Sequence, residues 1–257
     1  VLSIRILGSG TSSGVPRIGP DWGACDPAEP RNRRTRSSVL VRSATTTILV
    51  DTSPDMREQL IAARLSDVDA VLWTHDHADH CHGMDDLRQL MHARGGTPVR
   101  GMARPFTFEQ FGKRFPYIFE GRGKYYPPVV ALEVMSDAFL IGDIAVSVVD
   151  QPHGGITSAG LRFECGGKVI GYATDFHEMT SDMRALYTGL DLWVVDALRR
   201  APHPTHPHLS DVLDWIADLK PGRSALVHMD HSMDYATLSA ELPAGVEPGY
   251  DGLELHA

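Results

Sequence analysis

Residues 70–82 read Ala70-Val71-Leu72-Trp73-Thr74-His75-Asp76-His77-Ala78-Asp79-His80-Cys81-His82, an apolar run that breaks into a loop rich in His and Asp. Four consecutive apolar residues bounded by polar ones read as a buried strand. A tight loop at a strand end can converge several side chains on one point. Imidazole nitrogen and carboxylate oxygen suit Zn, Mn or Fe, and the segment His75–His80 holds no thiolate of the kind a structural site would use. Three histidines together with Asp79 in six residues exceed what one tetrahedral ion takes from a single loop, so two ions are the natural solution. Further ligands stand downstream, each after an apolar run: His153 after Val146–Val149, Asp175 after Val169–Ala173, and His228 after Ala225–Val227. A merely polar turn predicts none of them.

The rest of the chain agrees with an ordinary globular protein. Its 257 residues are 42% hydrophobic and 22% charged, with 24 basic against 33 acidic side chains and a formal net charge of −9. That balance disfavours extended nucleic acid as the main partner. No apolar run approaches the ~18 residues that a membrane span needs, so no membrane association is expected. Three cysteines (Cys25, Cys81, Cys165) are too few for a disulfide framework and point to a reducing cytoplasm. Histidine is the unusual count: of 13, nine fall in three short segments, at 75–82, 203–208 and 228–231.

Short β-branched runs suggest strands at Ser3–Leu7, Ser38–Val41, Thr47–Val50, Ala70–Trp73, Ala145–Val149, Val169–Ala173, Leu192–Val195 and Ser224–Val227. Helical spacing is clearest at Pro54–Arg64, with Ser53 as its N-cap, at Met84–Arg94 and at Asp211–Leu219. Interleaved strands and helices with hairpin-like pairs suit a mixed α/β fold. The stretch 98–128, rich in Arg, Lys, Phe and Tyr, reads as an insertion over a site or as an aromatic subdomain with its own small core.

The pattern His75-x-His77-x-Asp79-His80, followed by His153, Asp175 and His228, resembles the metallo-β-lactamase superfamily. The resemblance implies an α/β fold: a four-layer αβ/βα sandwich of two mixed sheets with outer helices, a single domain over 1–257 with an insertion or lid at about 98–128. It also implies that His75, His77 and His153 hold one divalent ion (zinc, manganese or iron). Asp79, His80 and His228 would hold a second, with Asp175 bridging. Two such ions, about 3.5–4 Å apart, share a hydroxide and clamp an anionic oxygen.

Three further features resemble the phosphodiesterase branch of that superfamily, which includes ribonuclease Z and the PhnP-type enzymes. The opening Gly8-Ser9-Gly10-Thr11-Ser12-Ser13-Gly14-Val15-Pro16 matches its start. His208, 20 residues before His228, resembles its catalytic histidine, with His203 and His206 as alternatives in the same loop and Asp196 as a residue that could orient it. Val227-His228-Met229-Asp230-His231 resembles the PhnP-type ending, whose second His joins a structural zinc with three Cys from the N-terminal loop. Here residues 20–26 offer only Cys25, so Cys25 and His231 read as ordinary packing or polar residues. Asp85 and Arg88, opening the helix after the metal loop, are candidates to support the ligands from behind.

The expected function is a dinuclear metal-dependent phosphodiesterase of a small ester, a nucleotide, cyclic nucleotide or ribose phosphate. His208 and Asp79 are its expected catalytic residues, and His208, Tyr125 and Tyr126 its expected substrate contacts. A tRNA 3′-processing endonuclease, a thioester or lactam hydrolase and a non-catalytic nucleotide-binding module are the alternatives, and a homodimer is left open.

Overall fold

Burial alternates along the strands in a way that requires cover on both faces. In Ala70–Trp73, Ala70 and Leu72 face one apolar cluster while Val71 and Trp73 face another. In Arg223–Val227, Ala225 and Val227 face the first cluster and Leu226 a third. Strands buried on both sides read as continuous apolar runs, which is why they stood out in the sequence.

The computed structural model describes residues 1–257. Its strands are β1 (Ser3–Gly8), β2 (Ser38–Arg42), β3 (Thr47–Val50), β4 (Ala70–Trp73), β5 (Val99–Ala103), β6 (Val130–Val134), β7 (Ala138–Ile141), β8 (Ile144–His153), β9 (Ile156–Cys165), β10 (Lys168–Ala173), β11 (Leu192–Asp196), β12 (Arg223–Val227), β13 (Val246–Pro248) and β14 (Glu254–His256). The helices are α1 (Met56–Ala62), α2 (Ala78–Cys81), α3 (Leu87–Ala93), α4 (Pro105–Arg114), α5 (Pro116–Phe119), α6 (Ser181–Leu186), α7 (Leu209–Leu219) and α8 (Tyr235–Glu241).

Two seven-stranded sheets form, in the orders β14-β1-β2-β3-β4-β5-β6 and β13-β12-β11-β10-β9-β8-β7. A shared core, with Ile4, Ile6, Val41 and Leu72 on one side and Leu161, Phe163, Ile170 and Val194 on the other, fills the space between them. Helices α1, α3 and α4 cover the outer face of the first sheet, and α6, α7 and α8 that of the second. This is the four-layer sandwich of two mixed sheets with outer helices that the resemblance implies.

Several boundaries differ from expectation. Helix α1 starts at Met56, because the Ser53 hydroxyl accepts from the Asp55 N–H and donates to Gln59 rather than capping a helix from Pro54. The expected helix Met84–Arg94 splits into a 3-10 turn at Met84–Asp86 followed by α3. The stretch 98–128 opens with β5, which pairs in parallel with β4 and β6 inside the sheet, and only α4, α5 and the turn after them stand outside it.

Strands β3 and β4 run parallel, as do β10, β11 and β12, so their carboxyl ends share an edge within each sheet. Asp51, His75, Asp175, Asp196 and His228 stand at those ends. Ligands in open α/β sheets gather at such edges.

Candidate metal centre

Three of the strand-end residues, Asp51, Asp175 and His228, adopt left-handed backbone with φ of 63°, 55° and 58°. A side chain other than Gly pays roughly 1–2 kcal/mol there. Their strain turns each chain sharply out of its strand and aims the side chain across the edge, and strain of this kind clusters at functional sites.

Two groups of donors result. The ligand-type atoms of His75, His77, His153 and Asp175 lie within 4.8 Å of one another, as do those of Asp79, His80 and His228. Asp175 stands between them. Its Oδ1 lies 3.8 Å from His75 Nε2 and 3.6 Å from His153 Nε2, and its Oδ2 lies 3.1 Å from His80 Nε2 and 3.5 Å from His228 Nε2. Asp79 Oδ2 completes the second group at 3.3 Å from His80 Nε2 and 3.5 Å from His228 Nε2.

The outer nitrogens explain why the inner ones are free. His80 Nδ1 meets Asp51 Oδ2 at 2.7 Å, His75 Nδ1 meets the Thr74 hydroxyl at 3.0 Å, and His153 Nδ1 meets the Thr205 carbonyl at 2.9 Å. The Thr74 hydroxyl itself donates to Asp51 Oδ2 at 2.8 Å. Asp51 therefore orients His80 directly and His75 through Thr74. Both Nε2 atoms are left buried, without a hydrogen-bond partner, facing the cluster. An unpaired buried nitrogen is costly, and ligating histidines are held by their other nitrogen in this manner. His77 Nδ1 and His153 Nε2 approach to 3.2 Å, two imidazole nitrogens that a shared cation would reconcile. The donor set fits divalent cations.

Electrostatics are as polarised as the geometry. Burial disfavours the His80 cation, yet Asp175, Asp79 and Asp51 outweigh it and hold the imidazole well above its ordinary range. His228 behaves alike: burial opposes its charge, but Asp175, Asp196 and Asp79 push it up to about 9. His75, buried and surrounded by other imidazoles, is driven well below its usual value. Burial would raise Asp175, but the His228 and His80 cations hold it far down.

A third group joins Asp175, Asp196, His206 and His228. His206 Nδ1 contacts Asp196 Oδ2 at 2.8 Å, its Nε2 reaches to 3.8 Å from Asp175 Oδ1, and its ring stacks on His228 with centroids 4.8 Å apart. His208 is placed differently. It sits at the N-cap of α7 and its Nδ1 pairs with Asp211 at 2.6 Å, outside all three groups. His203 packs against His206 at 5.2 Å between ring centroids. Tyr125 and Tyr126 are largely exposed. Asp85 accepts from the Tyr117 hydroxyl at 2.7 Å, and neither it nor Arg88 touches a donor of the cluster.

Cys25 and His231 take different partners. Cys25 faces the buried Arg34 guanidinium, which also donates to the carbonyls of Asp230 and Met233, while His231 faces Asp21. The Arg34 guanidinium, bonded to the Cys25 and Asn32 side chains of its own loop and to two carbonyls after β12, ties those segments together.

Sequence reasoning missed Asp51, Thr74 and Thr205. For Asp51 a signal existed, since it terminates the apolar run Ile48–Val50 as His75 and Asp175 nearly terminate theirs.

Comparison with known proteins is consistent with this geometry. A family model described as a beta-lactamase superfamily domain matches residues 46–229. A solved structure described as a new diphosphatase from the PhnP family is 34% identical, covers 99% of this chain and 96% of its own, and superposes with a TM-score of 0.90. Zinc-bound PqqB from Methylobacterium extorquens, 22% identical over 99% of this chain and 100% of its own, shares the fold with a TM-score of 0.79. A Porphyromonas gingivalis protein named octanoyltransferase is 33% identical over 97% of this chain, which spans 50% of that relative's length.

Proposed function

Because this chain belongs to the beta-lactamase superfamily and, at 34% identity over nearly its whole length, to the PhnP family within it, we propose that this metal-dependent hydrolase cleaves a small phosphodiester. The observation that carries the reading is Asp175, whose two oxygens face two separate sets of histidines, with a His206–Asp196 pair beside them.

His75, His77 and His153 would hold one divalent ion and Asp79, His80 and His228 the other, with the Asp175 carboxylate within reach of both sets. Zinc or manganese suits such nitrogen and oxygen donors. When bound, the ions supply charge neutralisation at the phosphoryl oxygens and acidify water enough for attack near neutral pH. His206 takes the role expected of His208: its Nε2 faces the cluster and donates a proton to the departing oxygen, while Asp196 on Nδ1 fixes the ring. Asp51 and Thr74 keep His80 and His75 in the tautomer that presents a bare Nε2.

The diphosphatase relative favours a second substrate class for the same site, a phosphoanhydride. Both classes present a disubstituted phosphorus with an oxygen leaving group. Precursor tRNA is less suited to a chain of net charge −9.

The test is hydrolysis of bis(p-nitrophenyl) phosphate by protein loaded with manganese, beside a chelator-stripped control. Metal-dependent turnover is expected, and a symmetric dinucleoside diphosphate assayed in parallel separates ester from anhydride preference. Absence of both activities in protein carrying two ions would overturn the reading.

A further inference from the structure

Helices α4 and α5 are clamped onto the metal loop. Arg114 donates to the Asp76 carboxylate at 2.8 Å and its other terminal nitrogen lies 2.9 Å from His82 Nε2, while the Tyr117 hydroxyl donates to Asp85. Beside this clamp lies a cavity of about 340 Å³ lined by Arg88, Tyr117, Arg122 and Tyr126. Neither Arg88 nor Arg122 has a carboxylate within 4.0 Å, although Arg100, Arg104 and Arg114 of the same region all do. The nearby Asp85 is engaged by Tyr117 instead. The Arg122 guanidinium lies over the Tyr117 ring, 5.4 Å from its centroid, so one aromatic face is already taken. Tyr126, 61% exposed, keeps ring surface open to solvent.

Two unpaired guanidiniums and an open aromatic ring around one concavity match one ligand chemistry. Guanidinium forks recognise phosphate oxygens by paired hydrogen bonds, and a phenol ring stacks on a planar heterocycle. We infer that the pocket formed by Arg88, Tyr117, Arg122 and Tyr126 is a binding site for a phosphate-bearing planar heterocycle of the nucleotide class, with the phosphate between Arg88 and Arg122 and the heterocycle on Tyr126. Of the two tyrosines that the sequence singles out, only Tyr126 lines it. The source of the ligand rests on the phosphodiesterase reading: it is the non-reacting end of the substrate, or else a free nucleotide.

The experiment is calorimetric titration of the metal-loaded protein with AMP, with inorganic phosphate and adenosine as partial ligands. The variants are Arg88→Gln, Arg122→Gln and Tyr126→Ala, each checked for wild-type melting temperature and metal content. AMP is expected to bind wild type more tightly than either partial ligand, and to weaken about tenfold or more in each variant. Tyr126→Ala is expected to leave phosphate binding unchanged. No AMP binding to wild type, or equal AMP affinity in folded variants, would overturn the proposal.

AMP is then added to the bis(p-nitrophenyl) phosphate assay. Competitive inhibition assigns the pocket to the substrate's far end, and a change in kcat without competition assigns it to a free nucleotide. Should turnover be absent while AMP binding still depends on Arg88 and Arg122, the phosphodiesterase reading falls and the pocket stands. Turnover without AMP binding has the opposite meaning.

Discussion

Replacing Asp51 with Asn should disable the metal centre without touching a residue proposed to hold an ion. Asp51 is fully buried and accepts three hydrogen bonds, from the Thr74 N–H at 2.8 Å, the Thr74 hydroxyl at 2.8 Å and His80 Nδ1 at 2.7 Å. Removal to Ala would strand all three donors, each at about 1–3 kcal/mol, against a total stability of roughly 5–15 kcal/mol, so that variant tests folding more than function. Asn keeps the volume but only one acceptor oxygen. If that oxygen takes the place of Oδ2, it serves both His80 Nδ1 and the Thr74 hydroxyl, and the amide nitrogen confronts the Thr74 N–H, which loses its partner. Two facing donors push the Thr74 backbone away, and with it the hydroxyl that meets His75 Nδ1 at 3.0 Å. If the amide flips, His80 changes tautomer and points a proton from Nε2 into the cluster. Either way one histidine is mispositioned, and changes of this sort cost about 10–100-fold in metal affinity. At 1.4 kcal/mol per tenfold, that matches the loss of one or two buried hydrogen bonds. Competition against a chromophoric chelator reads both sites directly. A folded Asp51→Asn protein whose two affinities stay within about twofold of wild type would refute the role of Asp51.

Other outcomes follow from the same geometry. His206→Ala should lower kcat on bis(p-nitrophenyl) phosphate by about 10²–10⁴-fold with both ions retained, whereas His208→Ala, which removes only the pair with Asp211, should stay within a few-fold; the reverse ranking would return the proton-donor role to His208. Arg34→Met should destabilise the fold by about 2–5 kcal/mol, because it takes the donor from the Met233 carbonyl and leaves the Asp230 carbonyl only the Met233 N–H; recovery on adding zinc would mean that Cys25 and His231 bind metal. Asp234 is partly desolvated, but hydrogen bonds from Thr237, Asp26 and Asn32 bring its carboxyl down to about 2. A depressed carboxyl contributes stability above its unfolded value of 3.8 and loses it as pH falls from about 4 toward 2. Solvent screens this group, so the effect is a shallow slope in melting temperature that Asp234→Asn removes; an unchanged slope would exclude it.

How far the sequence could be read depended on whether the deciding interaction was local. Strand β4 and its ligand loop were legible because burial on both faces leaves an uninterrupted apolar run, and because a loop of three histidines has no bland use. Strand β5 was not: Val99-Arg100-Gly101-Met102-Ala103 has little β-branched character, and Gly101 is there for a neighbour, since a Cβ would lie 2.6 Å from both the Trp73 ring and Val130. Strand β14 escaped for another reason. Its three residues pair with β1 at the opposite end of the chain, Ser3 opposite His256, and no local pattern announces such a contact. The same limit explains the histidines of residues 203–208. Pro202, Pro204 and Pro207 make that loop aperiodic, so spacing cannot say which ring faces inward. The deciding partner is Asp196, at the end of the strand that leads into this loop, which takes His206, while His208 is bound by its own helix through Asp211. The proposed ligands are thus residue types at strand ends, which a sequence displays. Orientation is carried by the groups behind them: Thr74 adjoins His75 in sequence, whereas Asp51 reaches His80 and Thr205 reaches His153 only through the fold.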